Sequence, residues 1–144
     1  MNSIRHLQLN QGRPEDRAHL LVWDTPNHRE LETLAFEQNA KIVDYRHHLL
    51  ARQPPGERFV LLHLHLEREI AELKGICAAA IEPIVILTGL DCLITYLSAR
   101  RDSPLRLFWS KLEQTRKLES RLWIVLPSKL VPSDWDKNRQ HAIG

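Results

Sequence analysis

The chain has 144 residues, of which 43% are hydrophobic and 26% charged, so it is long enough for one domain with a real core and is not composed like a disordered protein. No apolar stretch approaches the roughly 20 residues of a membrane span, and the first residues lack the apolar centre of a signal peptide, so we expect a cytoplasmic protein with no membrane partner. A net charge of +2 is too small to indicate nucleic-acid binding by itself, and the two cysteines are expected to be free thiols.

Short apolar runs predict the strands of a parallel sheet. Residues 19–23, 84–87 and 121–126 are rich in β-branched or large apolar side chains and have few polar breaks. This pattern is typical of strands that helices cover on both faces. A shorter strand is predicted over residues 41–44.

Helical patterns fill most of the chain between these strands. Asn27 is a candidate N-cap for the first helix, with Glu30 at the spacing of a capping box. Residues 59–66 combine helical spacing with strand-like alternation, and we interpret them as part of a helix that Gly75 ends. The predicted helices are 27–39, 45–52, 58–74, 90–100 and 104–119.

This order of elements predicts an α/β sandwich of three layers around a mainly parallel sheet of four or five strands. We expect the first and fourth strands to be neighbours, with the third beside the fourth. The predicted domain covers 19–130, after a polar N-terminal arm (1–18) and before a polar C-terminal tail (131–144). The tail is expected to fray, because Pro127 and Pro132 oppose regular pairing.

The tryptophans divide into two groups by their surroundings. Trp123 lies inside a predicted strand and Trp109 among leucines on a predicted helix, so both are expected in the core. Trp135 follows two prolines and has polar neighbours. We therefore predict that it contacts a protein partner, since aromatic side chains dominate interface energetics.

Polar segments follow three of the strands. The first strand leads into Asp24-Thr25-Pro26-Asn27-His28-Arg29-Glu30, the third into Thr88-Gly89-Leu90-Asp91, and the fourth into residues 127–129. With this arrangement the chain resembles P-loop NTPases of the additional-strand type, which include the AAA+ and RecA-like ATPases. In that class the first strand feeds the phosphate loop, the third presents metal-organising acids, and the next ends in a polar sensor.

A narrower resemblance rests on chain length, on the linker Pro54-Pro55-Gly56-Glu57-Arg58 before an amphipathic helix, and on the block Ile84-Val85-Ile86-Leu87-Thr88-Gly89-Leu90-Asp91. In these features the chain is similar to the small P-loop family BrxF of type 3 bacteriophage-exclusion (BREX) systems, over most of residues 19–130. The resemblance implies an accessory or assembly protein of prokaryotic phage defence. It also implies partners: other defence-system proteins such as a larger ATPase or a methyltransferase, with DNA and a homo-oligomer left open.

The departures from the class concern its chemistry. A working phosphate loop needs glycines, a lysine and a Ser or Thr, but residues 24–30 contain neither glycine nor lysine, and Pro26 has no N–H to offer. Arg29 stands near the lysine position, where its planar fork is a poor substitute. We therefore predict no catalytic residue and no required cofactor. If ATP and Mg²⁺ bind, the candidate residues are Thr25, Asn27, His28, Arg29 and Asp91.

Other hypotheses stay open. The chain could be a weak nucleotide-binding ATPase, an unrelated hydrolase, or a small nucleic-acid-binding regulator that uses a basic region over 100–121. Glu113 and Glu119 interrupt that region, which makes a solvated helix face the simpler interpretation. Its candidate nucleic-acid-binding residues are Arg100, Arg101, Lys111, Arg116, Lys117 and Arg121.

Two histidine clusters contain residue types that bind metals. His63 and His65 would share a face on a strand but not on a helix, and Asp44 lies close in sequence to His47 and His48. Neither cluster has a recognisable zinc spacing. We predict histidines that make ordinary hydrogen bonds, and no bound metal.

Overall fold

The computed structural model describes residues 7–11, 13–14, 16–52, 66–99 and 104–143. The strands in these residues are β1 (Ala18–Trp23), β2 (Ala40–Asp44), β3 (Ile84–Thr88), β4 (Arg121–Leu126) and β5 (Gln140–Ile143). They form one sheet in the order β2-β3-β4-β1-β5, and every pair of neighbours is parallel. The predicted neighbours, the first strand beside the fourth and the third beside the fourth, are confirmed.

The helices of the described residues cover both faces of this sheet. They are α1 (His28–Gln38), α2 (Tyr45–Ala51), α3 (Leu66–Ala79), α4 (Asp91–Ser98) and α5 (Leu105–Gln114). Along β3, Ile84 and Ile86 pack in the core layer with α1, whereas Val85 and Leu87 pack in the layer with α3, α4 and α5. Burial on both faces explains why the apolar runs have few polar breaks and confirms the α/β sandwich. Among the described helices, none has the length and apolarity to cross a bilayer.

The segment after β4 contradicts the expected frayed tail. Strand β5 pairs with β1 from Leu20–Gln140 to Trp23–Ile143. Trp135 is 2% exposed and packs edge-to-face on Trp109, with ring centroids 5.6 Å apart, so the prediction that it contacts a partner is wrong. The prolines do interrupt the chain after β4, but the backbone returns to the sheet beyond them.

Two helix boundaries also differ from expectation. α3 continues through Gly75 to Ala79, because this glycine keeps ordinary helical backbone and does not adopt the left-handed conformation of a helix stop. α5 ends at Gln114, five residues before the predicted end. Residues 59–66, whose pattern fits both a helix and a strand, lie outside the described residues except for Leu66. Trp109 and Trp123 are buried as predicted, and both cysteines are free.

Candidate functional site

The carboxyl edge of the sheet brings the predicted site segments to one side of the molecule. β1 is followed by α1 on one face, while the chain after β4 turns to the opposite face, where Leu130 and Val131 join the core. β1 and β4 are neighbours, so the topology reverses between them. In open α/β sheets, ligands bind in the crevice at this switch point.

A carboxylate bridges the two loops at this switch point. Asp24, directly after β1, accepts hydrogen bonds from the Ser128 amide at 2.7 Å and the Ser128 hydroxyl at 2.8 Å. These two bonds, the amide first, hold the pKa of Asp24 below its ordinary value, with a smaller contribution from the charge of Lys129. The carboxylate is therefore ionised at neutral pH, and the crevice carries its own anion.

The turn between β1 and α1 uses its amides internally. The Asn27 side-chain oxygen accepts from the backbone N–H of Arg29 at 2.9 Å and of Glu30 at 3.2 Å, which confirms the predicted N-cap. These first-turn amides are the donors with which a helix N-terminus binds phosphate. Here the cap oxygen already occupies them.

The candidate nucleotide-binding residues of this turn are all exposed. Thr25, Asn27, His28 and Arg29 lie together between the end of β1 and the first turn of α1. His28 lies 2.9 Å from Glu32 one turn further along the helix, an ion pair when the imidazole is protonated. The structure thus groups four candidates on one exposed turn.

Asp91, the fifth candidate, begins α4 at the same edge but after β3, which β4 separates from β1. The polar end of β3 approaches β2 closely. Gly89 has a φ of +79°, and a Cβ placed there would lie 2.4 Å from the Asp44 Oδ1 atom. That carboxylate accepts from the backbone N–H of Arg46 and caps α2. The acid at the end of β2 therefore closes a helix.

The histidine clusters give no metal geometry in the part of the chain that is described. Asp44 serves as a helix cap, and His48 Nδ1 lies 3.2 Å from Nε of Arg52, which donates to it. No group of three His, Cys, Asp or Glu side chains within the described ranges is arranged to hold a metal ion. His63 and His65 lie outside those ranges.

Two of the described cations of the basic region are paired with carboxylates. On α5, Lys111 pairs with Glu67 at 2.9 Å. At the amino edge, Arg116 Nε lies 3.7 Å from the Asp16 carboxylate, which also accepts from the Lys117 amide at 3.2 Å. Arg121 is half-buried at the start of β4, and Arg100 and Arg101 lie outside the described residues. Carboxylates thus offset part of the positive charge.

A buried ionic group between α2 and α3 was missed in the sequence. Glu69 is 1% exposed, and its carboxylate accepts from the Tyr45 hydroxyl and from both terminal nitrogens of Arg52 at 3.1 and 2.8 Å. This group joins α2 to α3. Its residues are far apart in sequence, so only a pairing of buried polar positions across helices could have indicated it.

No protein-family model matches the chain, and no curated protein matches it.

Proposed function

We propose that this chain is a non-catalytic, P-loop-like accessory protein of a prokaryotic phage-defence system of the BREX type, acting in the cytoplasm through protein partners. The strand order supports the proposal, because the additional-strand class implies a strand inserted between the first and third. The contact between Asp24 and Ser128 carries the non-catalytic part of the proposal.

The reason to expect no catalysis is electrostatic. Phosphoryl transfer depends on donors and cations that surround the transferred phosphate. In the crevice between β1 and β4, the Ser128 donors are satisfied by a carboxylate, and the amides at the start of α1 are satisfied by Asn27. A triphosphate would have to displace both and meet a fixed negative charge.

Calorimetric titration with ATP, with and without Mg²⁺, and a phosphate-release assay test the absence of catalysis. We expect no saturable heat and no turnover. Submicromolar binding with hydrolysis, lost in Arg29→Ala or Asp91→Asn, would overturn the proposal. Lys74→Ala, at an exposed position on α3, is the matched control for loss of a surface charge.

The assembly role is tested by co-expression with the large ATPase and the methyltransferase of a type 3 BREX operon. We expect the chain to co-elute with one of them and phage restriction to fall when it is removed. If the chain does not co-elute with either protein and phage restriction is unchanged without the chain, the defence role is refuted. Retention on duplex DNA at low salt measures any DNA contribution, since backbone contacts weaken steeply as salt rises.

A further inference from the structure

A cleft of about 520 Å³ lies between α4, α5 and the chain that follows β4. Its walls include Trp109, which is 6% exposed. Leu105, Leu130 and Val131 also line it and stay half-buried, although they pack against the main core. The protein's own side chains therefore cover this apolar surface only in part.

Charged side chains border the apolar part of the cleft. Arg106 and Lys129 are exposed, and neither makes an ion pair within 4 Å among the described residues. This distinguishes them from Lys111 on the same helix as Arg106, which pairs with Glu67. Asp134 also lines the cleft, so its described lining holds two cations and one carboxylate.

Two exposed cations, without an ion-pair partner in the described part of the chain, flank an apolar surface, and this combination favours one kind of occupant. Buried apolar side chains supply most of the energy at the centre of an interface, while charges at its rim select the partner by sign. The volume of the cleft falls within the range of about 300–1,000 Å³ that is typical of ligand pockets, and is large enough for one or two side chains. Both features favour a segment that is apolar and acidic.

We infer that this cleft binds a short acidic and apolar segment of a partner protein. A large apolar side chain of the segment contacts Trp109 and Val131, and a neighbouring carboxylate pairs with Arg106 and Lys129. The inference rests on the proposed assembly function and names the surface that performs it. Lys129 directly follows Ser128, so the bound segment lies beside the loop that Asp24 holds.

A displayed library of random heptapeptides, selected on the wild-type protein, tests this. We expect the enriched peptides to combine Asp or Glu with Leu, Phe or Trp. Arg106→Glu with Lys129→Glu should weaken their binding about tenfold, because two attractions at the rim become repulsions. Added salt should reduce that difference. Lys74→Glu, at an exposed position on α3 that does not line the cleft, should leave the affinity unchanged.

Val131→Ser tests the apolar part separately, and it should weaken binding by an amount that salt does not change. Thermal unfolding of each variant shows whether it is folded. If Val131→Ser does not fold, the result for the two charge reversals, which change exposed side chains, decides the test. No enrichment, enrichment of basic peptides, or equal binding to the charge-reversed protein would overturn the inference. The inference would also be overturned if the protein bound duplex DNA more tightly than any selected peptide and the charge reversals at Arg106 and Lys129 abolished that DNA binding. ATP hydrolysis would refute the non-catalytic proposal while leaving these outcomes unaffected.

Discussion

The buried carboxylate of Glu69 gives the sharpest test of what holds α2 against α3. Its side chain is 2% exposed, and that of its partner Arg52 is 18% exposed. The same carboxylate accepts a hydrogen bond from the hydroxyl of Tyr45, a residue that is fully buried. We consider the replacement Glu69→Ala, with Glu69→Gln and Tyr45→Phe as graded controls.

The expected loss follows from the burial of each group. Breaking a buried ion pair costs about 3–5 kcal/mol, and the lower part of this range applies because Arg52 can still reach water. The Tyr45 hydroxyl would also lose its acceptor, at about 1–3 kcal/mol. Relaxation around the deleted side chain offsets some of this, so we expect Glu69→Ala to lower the free energy of unfolding by about 4 kcal/mol. Glu69→Gln should cost about 2 kcal/mol and Tyr45→Phe about 1 kcal/mol.

Urea unfolding at several pH values measures both the size and the sign of the effect. Burial would raise the pKa of Glu69, but the hydrogen bonds from Arg52 and Tyr45 and the charge of Arg52 outweigh it and hold the pKa below 4.5. A carboxyl with a lowered native pKa contributes stability that is present above its unfolded value and is lost as pH falls through the native value. The advantage of wild type over Glu69→Gln should therefore shrink below pH 4.5. A loss under about 1 kcal/mol for Glu69→Ala, or a pH-independent difference, would refute the buried ion pair.

Two further predictions concern the carboxyl edge. Gly89→Ala should destabilise the protein by about 1–3 kcal/mol in urea unfolding, because Gly89 has a positive φ and lies close to Asp44. As the control, Gly75→Ala inside α3, where a Cβ meets open space, should stabilise the protein by about 0.5–1 kcal/mol. Similar effects at both sites would contradict this prediction. In an NMR titration the Ser128 amide should follow Asp24 with a midpoint below 3.8 and lose that transition in Asp24→Asn, and a midpoint at or above 3.8 would exclude the hydrogen-bonded carboxylate.

The strands at the centre of the sheet could be predicted because both of their faces are buried. β1, β3 and β4 each appear in the sequence as an apolar run with few polar breaks, which is typical of strands buried on both faces. The cap at Asn27 was equally predictable, since it depends on residues within one turn. Strand β5 was not, because Gln140 and His141 are polar and its pairing with β1 depends on contacts distant in sequence.

Buried charge is the second kind of feature that local pattern does not predict. Arg139 is 1% exposed, yet arginine is among the residue types least often buried. Its guanidinium lies 4.8 Å from the centre of the Trp135 ring, donates to the Ala18 carbonyl at 3.2 Å and lies 3.1 Å from Glu113. Trp135 is four residues away, but Ala18 and Glu113 are distant in sequence, so the burial of Arg139 is explained only once the fold is known.

The same distinction separates the architecture of the carboxyl edge from its chemistry. The order of the strands fixes where a ligand crevice would lie, but the residues of the loops decide what can bind there. Asp24 and Ser128 are 104 positions apart, and their contact gives this crevice an internal anion where a nucleotide enzyme needs cations and free donors. The exposed cations Arg106 and Lys129 lie instead beside the cleft between α4, α5 and the chain after β4. This difference in charge is why we propose an acidic partner at the cleft and no triphosphate in the crevice.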